Sequence, residues 1–474
     1  MNSLQIPDRL ILKVIPPNAW DGVLQLSPES TIETSPSLQL GKQIGEVFID
    51  TDKLRISIGP TDSLKSGNLR KAGEAAGSWL VRHQVEKVAL FPGSFASLGI
   101  EAGLEAFCEG LLLGAFQFNI HKSDNPLVPP VEVHVLIEEN DTVTQEKIWR
   151  VCALAKGVTL ARQWSHEPPN VINPVTLAQR AQTLATEAGL KCAVFGEREL
   201  AEMGAGAIQA VGLGSKTPSQ MIVLDYPGLK PVEPPVVVVG KAITFDTGGY
   251  SLKNTQGMLG MKFDKCGGMA VLGILQAVAA LKLPMRVIGI VAAAENMISS
   301  EAYRPNDIVT SLSGKTIEIV STDAEGRMVL CDALTYASTA LSPRAIIDLA
   351  TLTGGVVTAL GKVRAGLMST DDELATALAE AGERSGERLW RFPLDQEYFE
   401  LIKGSDSDLR NSAGKPIASS IVGGTFLKQF VLNEVPWAHI DIAGVATVEK
   451  GPSGGQEATG FGVRLIVEYL KHLS

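Results

Sequence analysis

The chain has 474 residues, of which 45% are hydrophobic and 20% are charged, and its 42 Lys and Arg against 52 Asp and Glu give a formal charge of -10. This length predicts two or three domains with sizeable cores. The acidic balance argues against general nucleic-acid binding, which needs a basic surface to displace counterions.

Cysteine usage and the start of the chain predict a reduced, soluble protein of the cytoplasm. The five cysteines are scattered and never form a Cys-x-x-Cys pair, which is typical of an intracellular protein rather than of a disulfide framework. The first residues lack a basic stretch followed by a long apolar one, so we expect no signal peptide. The longest apolar run, 267–281, is too short to cross a bilayer, and we expect a buried helix there and no membrane association.

Taken in chain order, the sequence begins with alternating β-rich and helical runs over residues 1–145. The segments 85–91 and 131–137 have the pattern of strands, and 67–84 and 99–116 have the pattern of helices. This alternation predicts an N-terminal α/β domain.

A stretch compatible with one helix follows at 140–166 and is stopped by "EPPN" at 167–170. We therefore place a connecting helix at 146–170 and a second α/β domain at 171–474. Within that domain "PPVVVVG" is apolar on both faces, as in an interior strand of a covered sheet.

Charged residues cluster where this apolar strand ends. Lys241, Asp246, Lys253 and Asp264 follow it within a short stretch of chain. Ligands of open α/β sheets gather at strand ends, and buried charges are costly unless they pair or bind something.

A second group of charges lies in "STDAEGR" at 321–327, between a β-like run and a helix-like run. If the segment is extended, Asp323, Glu325 and Arg327 project to the same side. The start of the following helix would also favour anions.

Together these segments supply four carboxylates and three bases, a composition that favours divalent cations. Clustered carboxylates repel one another, and two ions about 3.5–4 Å apart are the pattern of two-metal hydrolysis. The sequence contains no His-Glu-x-x-His or Walker A motif. A cleft for phosphate or carbohydrate stays open as another interpretation of the same residues.

The motifs "VGKAITFDTGGYSLK", "MKFDKCGG", "STDAEGRMVLCDALTYA" and "DLATLTGG" resemble those of the leucine aminopeptidases, or cytosol aminopeptidases, which are dizinc exopeptidases. The resemblance extends through "WAHIDIAG" and "ATGFGVRLIVEYL" to the C-terminus. It implies a macro-domain-like N-terminal α/β domain with an oligomerisation or regulatory role. It also implies a catalytic α/β domain with a mixed β-sheet flanked by helices.

The resemblance further implies a site of two divalent metal ions, zinc or manganese, with magnesium also compatible. The tight position would be held by Lys241, Asp246, Asp264 and Glu325, and the exchangeable one by Asp246, Asp323 and Glu325. Lys241 would have to be neutral, because only its free lone pair can bind a cation.

The resemblance assigns two catalytic side chains and four that bind the substrate. Lys253 would act as the electrophile that stabilises the oxyanion, and Arg327 would hold a bicarbonate that serves as general base towards a metal-activated water. Met261, Thr351, Leu352 and Gly354 match positions around the first substrate residue. The implied activity is removal of N-terminal, preferably leucine-like, residues from peptides.

Some residues depart from the family's usual motifs without changing these positions. Ser321 and Met328 replace Asn and Leu, Ala242 replaces Gly, and Lys265 replaces Met beside Asp264. Lys265 could weaken metal binding or favour acidic substrates, but strand alternation would point it away from Asp264. Two further departures, Tyr250 and His166, stand where Ile and Asn are usual, and we expect His166 to be a helix-end residue.

The resemblance also implies a homo-hexamer built as a dimer of trimers. Other classes stay open: a DNA-binding or architectural role, a chaperone-like role, or a different dimetal hydrolase such as a phosphatase. The net charge of -10 counts against the first of these.

Overall fold

The computed structural model describes residues 9–15, 25–29, 47–50, 53–57, 65–92, 95, 102–123, 129–229, 233–450 and 455–473. The chain divides into two compact units, Met1–Ala155 and Lys156–Ser474. The division falls inside a helix, Thr142–His166, which confirms the helix predicted at 140–166. The boundaries proposed at residues 145 and 171 stay a prediction.

The first unit contains a mixed six-stranded sheet in the order β1-β6-β5-β2-β4-β3, in which only β3 and β4 are antiparallel. The strands are β1 (Leu10–Ile15), β2 (Gln25–Glu29), β3 (Val47–Asp50), β4 (Lys53–Ser57), β5 (Lys87–Leu90) and β6 (Val131–Leu136). The backbones of the helices Ser66–Arg82 and Gly103–Gly114 are in direct contact. Glycine at position 73 allows this approach, since a Cβ there would lie 2.2 Å from the Phe107 carbonyl oxygen.

The second unit is built on a mixed eight-stranded sheet in the order β15-β14-β17-β13-β9-β10-β8-β7. Its strands are β7 (Lys191–Phe195), β8 (Gln220–Tyr226), β9 (Val236–Asp246), β10 (Val287–Asn296), β13 (Ala345–Ala350), β14 (Ala365–Ser369), β15 (Leu389–Arg391) and β17 (Trp437–Asp441). Two small sheets join β11 (Ile308–Thr310), β12 (Thr316–Glu318) and β16 (Leu409–Arg410), and β18 (Thr447–Lys450) with β19 (Gly455–Ala458). The mixed sheets confirm the predicted fold class.

Helices cover both faces of the large sheet. The helices of the second unit are Pro174–Ala188, Glu197–Met203, Gly206–Gly212, Thr255–Met258, Cys266–Leu281, Glu325–Ala340, Gly354–Leu360, Asp372–Ser385, Ser419–Lys428 and Val463–His472, with 3-10 turns at Met261–Phe263 and Gln396–Leu401. Cys266–Leu281 packs on one face through Gly268, whose Cβ would touch Ala242 and Val291. Glu325–Ala340 packs on the other face, in the core that contains Val239 and Ile290.

The helix Cys266–Leu281 is the buried apolar helix predicted at 267–281. The segment Thr255–Leu281 is long and apolar enough to cross a membrane, but 78% of its most apolar window is buried inside the protein. That burial is typical of a core helix.

Two lysines of the second unit hold the end of the helix Thr142–His166. Lys265 is fully buried and donates from Nζ to the carbonyl oxygens of Ser165 at 3.0 Å and Glu167 at 2.9 Å, and also to that of Lys262. Lys262 donates to the His166 carbonyl at 2.9 Å. These carbonyls include the last of a helix, which have no intrahelical partner and attract cations.

Lys265 therefore points away from Asp264, as predicted, but for a different reason. The two residues do not belong to a strand, because they lie between the turn Met261–Phe263 and the helix Cys266–Leu281.

We expect Lys265→Met to lower the free energy of unfolding by about 1–3 kcal/mol, because it leaves buried carbonyl groups unpaired. Denaturant unfolding of the metal-free protein measures this loss. Lys262→Met is the matched control, since it removes the bond to the His166 carbonyl at the same helix end while the three bonds of Lys265 remain, and it should cost less. A Lys265→Met variant as stable as the wild type would contradict the anchoring role.

Candidate functional site

Lys241 and Asp246 both lie on β9, five positions apart, where simple alternation would place them on opposite faces. The pairing with β10 shows why they meet. Ile243 is opposite Ala294 and Asp246 is opposite Asn296, so β9 contains one extra residue between the two pairs. This bulge shifts the alternation by one and turns Asp246 to the same side as Lys241.

The segment 321–327 reaches the site differently from the prediction. It is not extended: Thr322 and Asp323 form a turn, and Glu325 and Arg327 both lie in the first turn of the helix Glu325–Ala340. The predicted alternation was therefore wrong, because the helix begins earlier than expected. Glycine at position 326 leaves room for the Lys241 side chain, since a Cβ at this position would lie 2.6 Å from Lys241 Nζ.

The four carboxylates and two lysines meet in one cluster. Lys241 Nζ lies 2.8 Å from Glu325 Oε1 and 2.9 Å from Asp264 Oδ1. Lys253 Nζ lies 2.8 Å from Asp246 Oδ2 and also pairs with Asp323. Carboxylate oxygens of Asp246, Asp323 and Glu325 all lie within 4.8 Å of one another.

Burial and mutual repulsion perturb the carboxylates of this cluster. Burial raises the pKa of Asp264 to about 8 and that of Asp246 to about 6. It also raises the pKa of Asp323, helped by the nearby charge of Glu325. Burial alone would raise the pKa of Glu325 too, but the two lysines outweigh it and lower that pKa. The acids therefore share an unfavourable excess of negative charge.

The pKa values of the two lysines are set by the same carboxylates. Burial would lower the pKa values of Lys241 and Lys253, but the surrounding carboxylates outweigh burial and raise both. The carboxylates around them thus favour the charged form of both amines.

Two carboxylate oxygens of the cluster are available to bind a cation. Asp264 Oδ2 and Glu325 Oε2 are buried and have no hydrogen-bond partner among the residues that the structure describes. Buried polar atoms are normally satisfied. Oxygen donors from carboxylates are ligands that divalent cations accept, so this donor set fits the metal ions that the sequence predicted.

Arg327 is buried beside this cluster. Its Nη1 donates to the Asn411 carbonyl at 2.7 Å, and its Nε has no hydrogen-bond partner among the described residues. Burial lowers its pKa to about 10, so the guanidinium stays charged at neutral pH. A buried cation with an unused donor can hold a small anion.

The predicted substrate-binding residues lie in two segments next to the ligands. Thr351 donates from Oγ1 to Asp264 Oδ1 at 2.8 Å, and its carbonyl accepts from Lys241 Nζ at 2.9 Å. Leu352 and Gly354 follow in the same turn, with Gly354 exposed at the start of the helix Gly354–Leu360. Met261 is half-buried in the turn before Asp264.

Sequence reasoning missed buried polar residues that hold this site. Asn296 donates to Asp246 Oδ1 at 2.8 Å and to the Thr322 carbonyl at 3.0 Å. Asn411 accepts from the Val320 amide at 2.8 Å, and Asp441 accepts from the Leu352 amide at 3.1 Å. Asn296 and Asp441 are the last residues of apolar strands. A polar residue at the end of an apolar strand is the signal that identified Lys241 and Asp246, and the same signal could have identified Asn296 and Asp441.

The departures from the family's motifs keep local roles. Ser321 Oγ accepts from the Asp323 amide at 3.2 Å, and Met328 is fully buried in the core. Tyr250 donates to the Ser299 carbonyl at 3.0 Å. His166 ends its helix, as predicted, and its Nε2 accepts from the Ala458 amide at 3.1 Å.

Comparison with known proteins identifies the family of this chain. The sequence model of the cytosol aminopeptidase family, catalytic domain, matches residues 159–467, and that of the family's N-terminal domain matches residues 54–125. A probable cytosol aminopeptidase of Syntrophotalea carbinolica is 42% identical over 428 residues, which are 88% of this chain and 85% of that protein. One of Roseiflexus castenholzii is 46% identical over 374 residues, which are 77% of this chain and 76% of that protein.

A solved structure shares the whole architecture. The bottromycin maturation enzyme BotP in complex with Mn is 32% identical, has a TM-score of 0.86, and is matched over 95% of this chain and 99% of its own. The chain therefore belongs to the cytosol aminopeptidase family, a membership that supports metal-dependent aminopeptidase activity.

Proposed function

We propose that this chain is a leucyl aminopeptidase that removes N-terminal, preferably leucine-like, residues from peptides with a free N-terminus. The observation that carries the proposal is the cluster of Asp246, Asp264, Asp323 and Glu325 around Lys241 and Lys253. Family membership supports the peptidase class, and the residue roles below are proposals.

The cluster would hold two divalent ions, zinc or manganese, with magnesium also compatible. Lys241, Asp246, Asp264 and Glu325 would form the tight position, and Asp246, Asp323 and Glu325 the exchangeable one. The free oxygens of Asp264 and Glu325 support this assignment. When bound, such ions supply Lewis-acid activation of water and of the scissile carbonyl.

Lys241 would have to lose its proton before its lone pair could serve as a ligand. The amine would keep its hydrogen bond to the Thr351 carbonyl, which at 2.9 Å already sets its direction.

Lys253 would stay protonated and stabilise the charge that develops on the substrate's carbonyl oxygen. The carboxylates of Asp246 and Asp323 hold its pKa above the ordinary value, so a proton remains on Nζ. A fixed ammonium in a half-enclosed site acts as an oxyanion donor.

Arg327 would bind a bicarbonate, which supplies a general base at the site. The buried guanidinium and its free Nε support this role. Arg327 itself only holds the anion in place, because its charge persists at neutral pH.

The substrate's free amine would lie near Asp264, which explains a requirement for an N-terminus. Thr351, Leu352 and Gly354 would bind the substrate's first residue and backbone, and Met261 would form an apolar wall. Lys265 is turned to the helix end and fully buried, so we expect no preference for acidic residues.

We also propose a cytoplasmic homo-hexamer built as a dimer of trimers. The names of the relatives, cytosol aminopeptidases, support the compartment, and the resemblance to that family supports the assembly. The net charge of -10 counts against nucleic acid as a partner.

We expect hydrolysis of leucine p-nitroanilide to disappear when metal is removed by a chelator and to return when zinc or manganese is added. Asp323→Ala should abolish the recovery, because it removes a carboxylate that the exchangeable position needs. Initial rates over a metal titration measure both effects. A folded wild-type protein that is inactive with every metal would refute the peptidase proposal.

Lys253→Met should lower kcat by about 10²–10³-fold, as for loss of one oxyanion donor, with a smaller change in KM. Steady-state kinetics at saturating metal give the two constants separately. Lys262→Met serves as the control, since its amine binds the His166 carbonyl outside the cluster and should leave kcat unchanged. Equal kcat values in both variants would remove Lys253 from the mechanism.

Met261→Ala should reduce kcat/KM for leucine p-nitroanilide more than for alanine p-nitroanilide, by about 10-fold or more, because an apolar wall is lost. The ratio of the two kcat/KM values is the measurement. An unchanged ratio would show that Met261 does not form the pocket for the first side chain.

A further inference from the structure

Asp441 is a fully buried carboxylate whose place next to the site is set by the sheet. It is the last residue of β17 and lies opposite Ala350, the last residue of β13. The turn 351–354 leaves β13 at that point. Asp441 therefore stands beside the first residues of the turn that carries Thr351 and Leu352.

Three donors converge on this carboxylate. Oδ1 accepts from the amides of Leu352 at 3.1 Å and Ala443 at 3.2 Å. Oδ2 accepts from the Thr353 hydroxyl at 2.6 Å. The Thr353 oxygen in turn accepts from the Val356 amide at 3.3 Å, at the start of the helix Gly354–Leu360. One carboxylate thus fixes the turn and the helix that follows it.

The bond to the Leu352 amide has a consequence on the opposite side of the same peptide group. In a planar trans peptide, the N–H and the preceding C=O point in opposite directions. Because the Leu352 N–H points at Asp441, the Thr351 carbonyl must point away from it. That carbonyl accepts from Lys241 Nζ at 2.9 Å.

The Thr351 side chain extends the same connection, because its hydroxyl donates to Asp264 Oδ1 at 2.8 Å. We propose that Asp441 is a positioning residue, which orients the Thr351–Leu352 peptide group and, through it, the Lys241 amine and the Asp264 carboxylate. Outer groups that orient ligands in this way tune metal affinity. The inference rests on the proposed role of Lys241 and Asp264 as metal ligands.

The test compares Asp441→Asn with Asp332→Asn. Asp332 is an equally buried carboxylate that also accepts from two backbone amides, those of Ile208 at 2.9 Å and Leu312 at 2.8 Å. It lies on the helix Glu325–Ala340, and within the part of the chain that the structure describes its carboxylate makes no hydrogen bond to the turn 351–354. It therefore controls for the general cost of changing a buried acid.

We expect Asp441→Asn to raise the Kd for Mn²⁺ by about 10–100-fold, measured on the full chain by electron paramagnetic resonance of free Mn²⁺. Asp332→Asn should leave this Kd unchanged, even if it lowers the midpoint of thermal unfolding as much as Asp441→Asn does. At saturating Mn²⁺, Asp441→Asn should also lower kcat for leucine p-nitroanilide. Equal Mn²⁺ affinities in the two variants would overturn the proposal.

Thr353 provides a second test if Asp441→Asn fails to fold. Thr353→Val removes the hydroxyl that orients Asp441 and should weaken Mn²⁺ binding, whereas Thr353→Ser keeps the hydroxyl and should restore it. Equal Mn²⁺ affinities for this pair would count against Asp441. A wild-type protein that binds Mn²⁺ but hydrolyses no peptide analogue would refute the proposed activity alone, because the affinity comparison still decides the role of Asp441.

Discussion

The whole site depends on one electrostatic constraint, the burial of three carboxylates, with a fourth exposed beside them, around two lysines. Each acid costs free energy to remove from water, and each raises the cost of charging its neighbours. The opposite pKa shifts of Asp264 and Glu325 show the result: one acid is protonated more easily and the other less. Such groups titrate as one unit, so the cluster responds as a whole when any member gains or loses charge.

The scaffold meets this constraint by holding the site in place through hydrogen bonds from buried polar groups. Asn296 ends β10, Asp441 ends β17 and Asn411 follows β16, and each bonds to a segment that carries site residues. The sheet thus contributes more than its own side chains. Its strand ends provide a layer of polar groups, and the loops that carry the site residues are attached to that layer as well as to one another.

Much of this organisation could be predicted from the sequence, because long apolar strands and their charged ends are local signals. The run "VVVVG" and the lysine and aspartates after it indicated both β9 and the site. The bulge in β9 could not be predicted, since it is visible only in the pairing with β10. The start of the helix at Glu325 was misplaced because alternating charges resemble a strand when neighbouring segments are ignored. The direction of Lys265 depends on the distant carbonyls of Ser165 and Glu167.

The extra residue of β9 makes the spacing of the chain as important to the site as the identity of its side chains. If one residue were inserted between Lys241 and Asp246 with the bulge kept, the carboxylate would face the opposite side of the sheet while every ligand type was still present. Deletion of the extra residue would have a different effect, because ordinary alternation over four positions keeps Asp246 on the side of Lys241. The site therefore depends on the number of residues between Lys241 and Asp246 together with the bulge, which distinguishes it from sites on loops, where length is usually free to vary.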